Sequence, residues 1–300
     1  MKYTCTSPVL YKRARIIQCI RDFFIERDYL EVETPLCQPN CLPESHLKAA
    51  RSGDWFLQPS PEQSMKSLLA AGFPRLFQIC KCFRSGERGR LHLFEFTMLE
   101  WYREGIDYRE LMTECEELLK FLACSLKEEI SPSWRCRTER PWPRITVDDL
   151  FKRYSPLTAT EAVRQNVFEQ ILVERIESHL GFSRPVFVYD YPAALGSLAR
   201  LKPENKSRAE RFELYINGIE LANGFSELAD SNEQRQRFEK ERRLLEKRGE
   251  NPGPMPEHFL AALDSMPQAA GIALGIDRLI MLCCGLSTID EAVTLVPDNP

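Results

Sequence analysis

The sequence predicts an α+β fold, in which an antiparallel β-sheet is flanked by helices and one catalytic domain spans residues 1–300. Three observations support this prediction. Segments with strand-like alternation follow one another through short turns, as in hairpins, and do not alternate with helices as a parallel sheet requires. Segments with apolar residues three and four apart indicate flanking helices. The chain shows no internal repeat and no low-complexity linker, so one domain is the simplest count.

The predicted helices are recognised by an apolar face or by helix-start residues. The first covers residues 7–28, because Ile16, Ile20 and Phe23 share one face and Pro8 suits a first helical turn. The remaining helices are predicted over residues 60–72, 107–127, 148–181, 232–249 and 277–284.

The predicted strands are recognised by alternation or by short apolar runs between turns. Residues 29–34 alternate between apolar and polar side chains. The dipeptide Asn217-Gly218 is a strong hairpin turn and joins a strand over 212–216 to one over 220–225. The remaining strands are predicted over residues 73–83, 94–102, 186–191 and 271–276, and a proline-rich loop over 131–144.

Composition and charge narrow the class of protein. Hydrophobic residues make up 43% and charged residues 28%, which is ordinary for a globular protein with a sizeable core. The net charge of −4 argues against a dedicated nucleic-acid binder, although a local basic patch stays compatible with it. Neither a secretory signal nor a run of eighteen apolar residues occurs, so we expect a cytoplasmic protein with no membrane contact.

The 11 cysteines indicate a reducing compartment and free thiols. Two close pairs, Cys37 with Cys41 and Cys80 with Cys82, supply four sulfurs that could bind zinc. Cys80, however, ends the apolar run 76–80, which predicts a buried strand. Because spacing is the only support for zinc, we favour buried free thiols.

The first candidate site is a basic turn at the tip of a predicted hairpin. Residues 83–92 contain Arg84, Arg88, Arg90 and His92. The planar donor fork of arginine suits phosphate oxygens, so the turn is a candidate phosphate-binding segment. The alternative is an exposed basic turn with no ligand.

The second candidate site is acidic. Glu213, Glu220 and Glu227 stand at intervals of seven, and the predicted hairpin brings Glu213 and Glu220 onto adjacent strands. Neighbouring carboxylates repel each other unless a cation joins them, and magnesium with a nucleotide is one candidate. The alternative is a pair of surface glutamates, which the apolar neighbours Ile219 and Leu221 disfavour.

The third candidate site lies where the last predicted strand meets the last helix. Gly275 allows another group to approach the backbone closely. Arg278 near a helix N-terminus is unfavourable unless an anion lies nearby. The alternative is a packed glycine beside a surface arginine.

Together these segments resemble the three signature motifs of the class II aminoacyl-tRNA synthetases. The helix and strand that end at Pro35 are similar to motif 1, residues 83–102 to motif 2, and residues 275–278 to motif 3. Residues 97–102 and 223–228 resemble the catalytic core of lysyl-tRNA synthetase in particular. The resemblance implies the class II catalytic fold, ATP as substrate and Mg²⁺ as cofactor.

Two features point to one branch of this family. Lysyl-tRNA synthetases have an anticodon-binding domain ahead of motif 1, and too few residues precede the first predicted helix here to form one. The chain therefore resembles the truncated branch that attaches (R)-β-lysine to a lysine of elongation factor P. Ala273 stands where the similar segment of lysyl-tRNA synthetases has glycine. Its methyl group would crowd an α-amino group.

The resemblance gives the residues around ATP their expected roles. Arg84 contacts the α-phosphate and stabilises developing charge, and Arg278 holds the γ-phosphate, so these two are the expected catalytic residues. Phe96 stacks on adenine, with His92 beside the triphosphate. The residues expected to bind ATP are Arg84, Glu87, His92, Phe96, Glu220, Leu221, Gly275 and Arg278.

The resemblance likewise implies the metal and amino-acid ligands. Glu213 and Glu220 are expected to hold Mg²⁺. Glu62 lies near the amino group at the reacting end of the substrate, and Glu227 with Tyr102 binds the distal ammonium. The residues expected to bind the amino acid are Ser60, Pro61, Glu62, Glu100, Tyr102, Glu227 and Ala273.

The sequence departs from the synthetase pattern at motif 2. From the motif 2 arginine onward, the pattern in the synthetases is similar to Arg-Asn-Glu, in which the glutamate contacts adenine. This chain has Arg84-Ser85-Gly86 there, and Glu87 follows one place later. We therefore expect adenine recognition to shift to Glu87 or to backbone groups. What deprotonates the acceptor amine is not indicated.

Three functions stay in view: a ligase that modifies elongation factor P with lysine or (R)-β-lysine, an enzyme that charges tRNA with lysine, and a catalytically silent sensor of lysine or nucleotide. The missing domain and the mild negative charge favour the first and predict no tRNA partner. The resemblance also implies a homodimer, with motif 1 around Pro35 at the interface. The stereochemistry of the amino acid and the modified lysine stay open.

Overall fold

The computed structural model describes residues 2–3, 5–45, 47–126, 129–131 and 141–297. Residues 132–140 of the predicted proline-rich loop lie outside the described residues, and so does residue 127 at the end of the predicted helix over 107–127.

A large central sheet organises the described part of the chain. The strands are Lys2–Tyr3 (β1), Leu30–Glu31 (β2), Cys37–Gln38 (β3), Ala50–Ser52 (β4), Trp55–Leu57 (β5), Arg75–Phe83 (β6), Glu95–Glu104 (β7), Arg144–Thr146 (β8), Val186–Pro192 (β9), Leu201–Lys202 (β10), Asn205–Ile216 (β11), Ile219–Ser226 (β12), Ala269–Gly275 (β13) and Leu295–Val296 (β14). The sheet has the order β2-β6-β7-β13-β12-β11-β9-β8, with β10 beside β11. Its central pairs are antiparallel, and only the outer pairs β2–β6 and β8–β9 are parallel among those described. The predicted α+β class is confirmed.

Helices cover this sheet. They are Ser7–Ile25 (α1), Glu62–Ala70 (α2), Tyr108–Ser125 (α3), Val147–Tyr154 (α4), Ala159–Arg164 (α5), Phe168–Ile171 (α6), Ser231–Lys247 (α7), Glu257–Leu263 (α8) and Ile276–Cys284 (α9). The single helix expected over 148–181 is divided into several. Pro156 cannot continue α4, and Thr158 with Glu161 forms a capping box that starts α5.

The predicted strand over 29–34 is too long. Only Leu30 and Glu31 pair with β6 as a strand, and Val32 adds one backbone hydrogen bond to Phe77 at 3.0 Å. Pro35 has no amide to donate, so the ladder cannot extend past it. This segment is one edge of the sheet.

The two faces of β7 separate the core from the site. Leu99 and Trp101 are buried on one face with α1, where Phe24 stacks on Phe77 at 4.8 Å between ring centroids. Glu100 alternates with them and therefore faces the opposite side. The main hydrophobic core thus fixes the strands from one side. The opposite face carries the polar site residues beside a second apolar cluster, in which Tyr102 packs with α2, α7 and α8.

The described cysteines are all free, and Cys80 Sγ lies 4.0 Å from Cys82 Sγ. Within the described ranges, no group of three or more histidine, cysteine or acidic residues is placed to hold a metal ion. The helices of the described part include none with the length and apolar character to cross a membrane.

Candidate active site

Strand register places the predicted site residues in one row across four strands. Glu100 of β7 lies opposite Ala273 of β13, Ala273 opposite Asn223 of β12, and Asn223 opposite Glu213 of β11. Residues directly opposite in neighbouring strands share a face of the sheet. Two predicted amino-acid ligands and one predicted metal ligand therefore lie side by side, and Asn223 joins them although the sequence analysis did not single it out.

Glu100 marks the amino-acid end of this row. Ser60 Oγ donates to Glu100 Oε1 at 2.6 Å, and Tyr102 Oη donates to Glu100 Oε2 at 2.8 Å. Glu62 is the first residue of α2, and its backbone N–H donates to Ser60 Oγ at 3.0 Å. The structure thus brings together predicted ligands from two separate segments of sequence, 60–62 and 100–102.

Gly271 is required at this end because two side chains approach its backbone. A Cβ at this position would lie 2.3 Å from the Tyr102 ring and 2.6 Å from Glu227 Oε1. Backbone atoms in a central strand cannot move away readily, so only glycine fits. Tyr102 and Glu227, which we predict to bind the distal ammonium, therefore both lie close to the Gly271 backbone.

Lys66 is the residue of this pocket that the sequence analysis missed. Its Nζ lies 2.5 Å from Glu62 Oε1 and 2.5 Å from Glu227 Oε2, and its side chain is 1% exposed. The pairing with Glu62, one helical turn away, could have been found from the sequence. The pairing with Glu227 could not, because it depends on how α2 docks against the sheet.

The carboxylates of the pocket hold protons more tightly than free glutamates do. Burial, helped by the Glu62 carboxylate, raises the pKa of Glu100 to about 8. Burial also raises the pKa of Glu227 to about 8, although Lys66 opposes the shift. A bound cation would favour the ionised forms, so the pocket suits a ligand that carries ammonium groups.

Arg278 and His92, which we predict to lie beside the triphosphate, contact each other. Arg278 Nη1 donates to the Glu220 carbonyl oxygen at 2.6 Å, and Arg278 Nη2 lies 2.8 Å from His92 Nε2. Partial burial and the Arg278 guanidinium lower the pKa of His92, so the neutral ring accepts this hydrogen bond. The segments that resemble motif 2 and motif 3 are therefore in direct contact.

Arg84 is held differently from the other arginines of the predicted turn. Its guanidinium carbon lies 5.1 Å from the Phe96 ring centroid, and its buried Nε has no hydrogen-bond partner among the described residues. Arg88 instead pairs with Asp290 at 2.7 Å on the surface, and Arg90 is exposed. The exposed-turn alternative thus fits Arg88 and Arg90, whereas Arg84 has a free donor for an anion.

Glu213 is anchored by three donors. Tyr191 Oη and Tyr215 Oη donate to its Oε2 at 2.5 and 2.7 Å, and Arg211 Nη2 donates to its Oε1 at 2.6 Å. A carboxylate offers about four acceptor positions, so roughly one is left. The sequence analysis missed these three anchors, which lie on β9 and β11.

Glu220 is the less constrained of the two expected metal ligands. Partial burial and the neighbouring Glu213 carboxylate raise the pKa of Glu220 to about 7. Arg278 Nη1 lies 3.7 Å from Glu220 Oε2. A divalent cation would relieve the repulsion between these carboxylates, so the two residues fit Mg²⁺ chemically.

The surroundings of Leu221, Pro61 and Gly275 determine which of their atoms can contact a ligand. The Leu221 side chain is buried in the main core, so only its backbone groups can contact ATP. Pro61 is buried at the start of α2. A Cβ on Gly275 would meet nothing closer than 3.7 Å, so protein packing does not explain this glycine, and a closely approaching ligand would.

A buried ion pair holds the motif 3 helix in place. Arg13 Nη1 lies 2.7 Å from Asp277 Oδ1, and the Thr97 backbone N–H donates to Asp277 Oδ2 at 2.7 Å. Arg13 Nη2 also donates to Thr97 Oγ1 at 2.9 Å. These contacts fasten α1, β7 and α9 together directly before Arg278.

Comparisons with known proteins identify the family of the chain. The profile of the family described as tRNA synthetases class II (D, K and N) matches residues 4–299, and the chain belongs to this family. The chain is similar to the elongation factor P–(R)-β-lysine ligase of Klebsiella pneumoniae subsp. pneumoniae, with 39% identity over 97% of this chain and 96% of the relative. It is also similar to the proteins of that name from Proteus mirabilis (39%; 95% and 93%) and Edwardsiella ictaluri (40%; 98% and 97%). The resemblance stated from the motifs is confirmed.

Proposed function

We propose that this chain is an ATP-dependent ligase that activates (R)-β-lysine, or lysine, as an aminoacyl-adenylate and transfers it to a lysine side chain of elongation factor P. The observation that carries the proposal is the buried acidic pocket of Glu62, Glu100 and Glu227 on the sheet whose strands β6 and β13 lead into Arg84 and Arg278, the arginines that we propose bind phosphate. The full-length similarity to ligases of that name supports the same substrate and acceptor.

In the first step the substrate carboxylate attacks the α-phosphorus of ATP. A bond forms between the carboxylate oxygen and phosphorus, the bond to the β-phosphate breaks, and pyrophosphate leaves. Arg84 stabilises the charge on the α-phosphate, and Arg278 holds the far end of the triphosphate. Positioning and charge stabilisation suffice for this step, and loss of either arginine would cost about 3 kcal/mol of barrier, by analogy with lost oxyanion donors.

In the second step the neutral amine of the acceptor lysine attacks the carbonyl carbon of the adenylate. An amide bond forms, AMP leaves, and the amine gives up a proton. The pocket around Glu62 and Glu227 holds the ammonium groups of the amino acid during both steps, which keeps its carbonyl next to Arg84.

Mg²⁺ is part of the proposal. Glu213 and Glu220 would hold it, and the ion would neutralise phosphate charge when bound. The three donors on Glu213 fix its position in advance, and Glu220 supplies the freer carboxylate.

The proposed assembly is a homodimer of one catalytic domain spanning residues 1–300, which acts in the cytoplasm on a translation factor without a tRNA partner. The edge strand β2 supports a dimer, because apolar side chains near Pro35 are exposed. Leu30 is 49% and Leu36 is 41% exposed, so apolar surface is available there for a partner subunit.

One experiment separates the candidate functions. The protein is incubated with ATP, labelled lysine or (R)-β-lysine, and either elongation factor P or tRNA, with Arg84→Met as the inactive control. We expect label on the factor and none on tRNA. Label on tRNA alone would overturn the proposal, and absence of pyrophosphate exchange with every amino acid would favour a silent sensor.

A further inference from the structure

Lys66 is a buried cation at the centre of a pocket expected to bind cations. It lies one turn along α2 from Glu62 and bridges that residue to Glu227, while its Nζ lies 5.0 Å from the Phe225 ring centroid. Burial of an ammonium group is costly and persists only where carboxylates compensate it. Burial opposes the charged form, but Glu227 and Glu62 together raise the pKa of Lys66 above its ordinary value.

A purely structural role would leave the partners of Lys66 satisfied, and they are not. Glu227 Oε1 accepts no hydrogen bond from the described residues, although the Glu227 side chain is fully buried. A buried carboxylate oxygen without a donor is costly. Lys66 therefore neutralises part of the pocket and leaves an acceptor for a further cationic group.

The number of charges suggests what that ligand carries. Glu62, Glu100 and Glu227 are three carboxylates, and Lys66 is one ammonium, so two negative charges are left when all are ionised. A diamino monocarboxylic acid brings two ammonium groups. The pocket and such a substrate therefore compensate each other in charge.

We propose that Lys66 determines substrate specificity as a resident counter-ion: it lies between Glu62 and Glu227 and opposes their protonation, and it limits the pocket to the two negative charges that a diamino acid neutralises. This inference rests on the proposed function and assigns Lys66 a role within the same site. Lys66 acts through the two carboxylates and is a positioning residue.

Removal of this charge has a consequence that depends on pH. Without Lys66 the neighbouring carboxylates repel one another and hold protons more tightly, so the substrate must displace more protons to bind. The titratable groups that face Lys66 or its partners are Glu44, Glu62, Glu100, Tyr102 and Glu227.

The test compares Lys66→Met and Lys66→Arg with wild type. The KM for (R)-β-lysine, or for lysine, is measured by pyrophosphate exchange without any acceptor, from about pH 6.5 to about pH 9.5. For Lys66→Met we expect the KM near pH 7 to rise at least about tenfold and to return towards the wild-type value at high pH. The midpoint of its KM–pH profile should therefore lie about one pH unit above that of wild type. The value of kcat should change much less. Lys66→Arg keeps the charge and should keep the wild-type profile.

Lys202→Met is the matched control, because Lys202 also pairs with a partly buried carboxylate, Asp190 at 2.6 Å, outside this pocket. Its KM profile should be that of wild type. A KM for Lys66→Met that changes equally at all pH values, or a displaced profile for Lys66→Arg, would overturn the role of Lys66. Where Lys66→Met does not fold, Lys66→Gln takes its place, with the same expected KM profile. Wild-type protein that activates neither amino acid would overturn the proposed function together with this inference.

Discussion

Ala273 has the smallest side chain in the row that crosses the site, and it lies between Glu100 and Asn223. Ala273→Gly would remove the methyl group expected to crowd an α-amino group. One methyl group in a pocket is worth about 1–3 kcal/mol of discrimination. We therefore expect the kcat/KM for lysine, relative to that for (R)-β-lysine, to rise by about tenfold or more. The ratio of kcat/KM from pyrophosphate exchange measures this, and an unchanged ratio would remove Ala273 from the explanation.

Gly271 gives a complementary prediction at the same pocket. Gly271→Ala places a methyl group against the Tyr102 ring and Glu227 Oε1, so both must leave their positions. We expect amino-acid activation to fall by more than about a hundredfold, because the ammonium site is displaced, while ATP binding is retained. Equilibrium binding of a fluorescent ATP analogue and pyrophosphate exchange separate the two effects. Loss of ATP binding as well would contradict this account.

The residues predicted from the sequence are those with a local pattern. Arg84 stands out in a basic turn, Arg278 at a helix start, and Glu213 beside a hairpin. Lys66 and Arg211 were missed because their charge partners come from other elements, and a lysine on a helix ordinarily indicates a solvated face. Leu221 was expected near ATP, but the strand turns its side chain into the core.

At the scale of elements, the contact of Arg13 with Asp277 and Thr97 links α1 directly to the site. Arg13→Met would leave Asp277 as a buried charge with fewer partners. We expect the free energy of unfolding to fall by about 3 kcal/mol, since breaking a buried pair by removing one partner is strongly destabilising. We also expect the KM for ATP to rise, because Arg278 follows Asp277 directly. Urea unfolding and exchange kinetics measure the two effects.

Arg15→Met is the control on the same helix. Arg15 is 57% exposed and lies 3.9 Å from Glu129, so its loss should change the free energy of unfolding by less than about 0.5 kcal/mol. Equal destabilisation by both substitutions would show that α1 itself, and not the buried pair, carries the effect.

Elements with strong local patterns were predicted well, and those that depend on neighbours were not. The hairpin of β11 and β12 forms around Asn217-Gly218 as predicted, and Asn217 has the positive φ of 55° that this turn requires. The segment over 148–181 has helical periodicity throughout, but Pro156 and the cap at Thr158 interrupt it. The parallel pairing of β2 with β6 leaves no pattern in the sequence, since only two residues of β2 take part.

At the scale of the whole molecule, buried carboxylates connect stability to pH. The folded pKa values of Glu100 and Glu227 are about 8, against an ordinary value of 4.5. Between these values the folded protein binds more protons than the unfolded chain, so the free energy of unfolding decreases as pH rises. This contribution is fully present below about pH 4.5 and is lost as pH passes through about 8. We expect the thermal midpoint of the ligand-free protein to decrease when the pH is raised from about 6 to about 8.5.

Glu100→Gln tests the origin of that slope. Glutamine has nearly the same shape and does not ionise, so the fall in thermal midpoint with pH should become smaller. The stabilisation of wild type by added (R)-β-lysine should instead increase with pH. It should be greater near about pH 8.5 than near about pH 6, because ionised carboxylates bind ammonium groups. A slope that Glu100→Gln leaves unchanged would place its origin elsewhere.

The row Glu100–Ala273–Asn223–Glu213 also fixes the distance between the two ends of the site. Neighbouring strands lie about 4.8 Å apart, so three spacings separate the amino-acid end of the row from the acidic end by about 14 Å. Strand count sets this length, and loop length does not. Insertions in the loops would therefore leave the measured distance unchanged, whereas a substrate one or two methylenes shorter would leave its carboxylate out of reach of the phosphate, however tightly its amine is held.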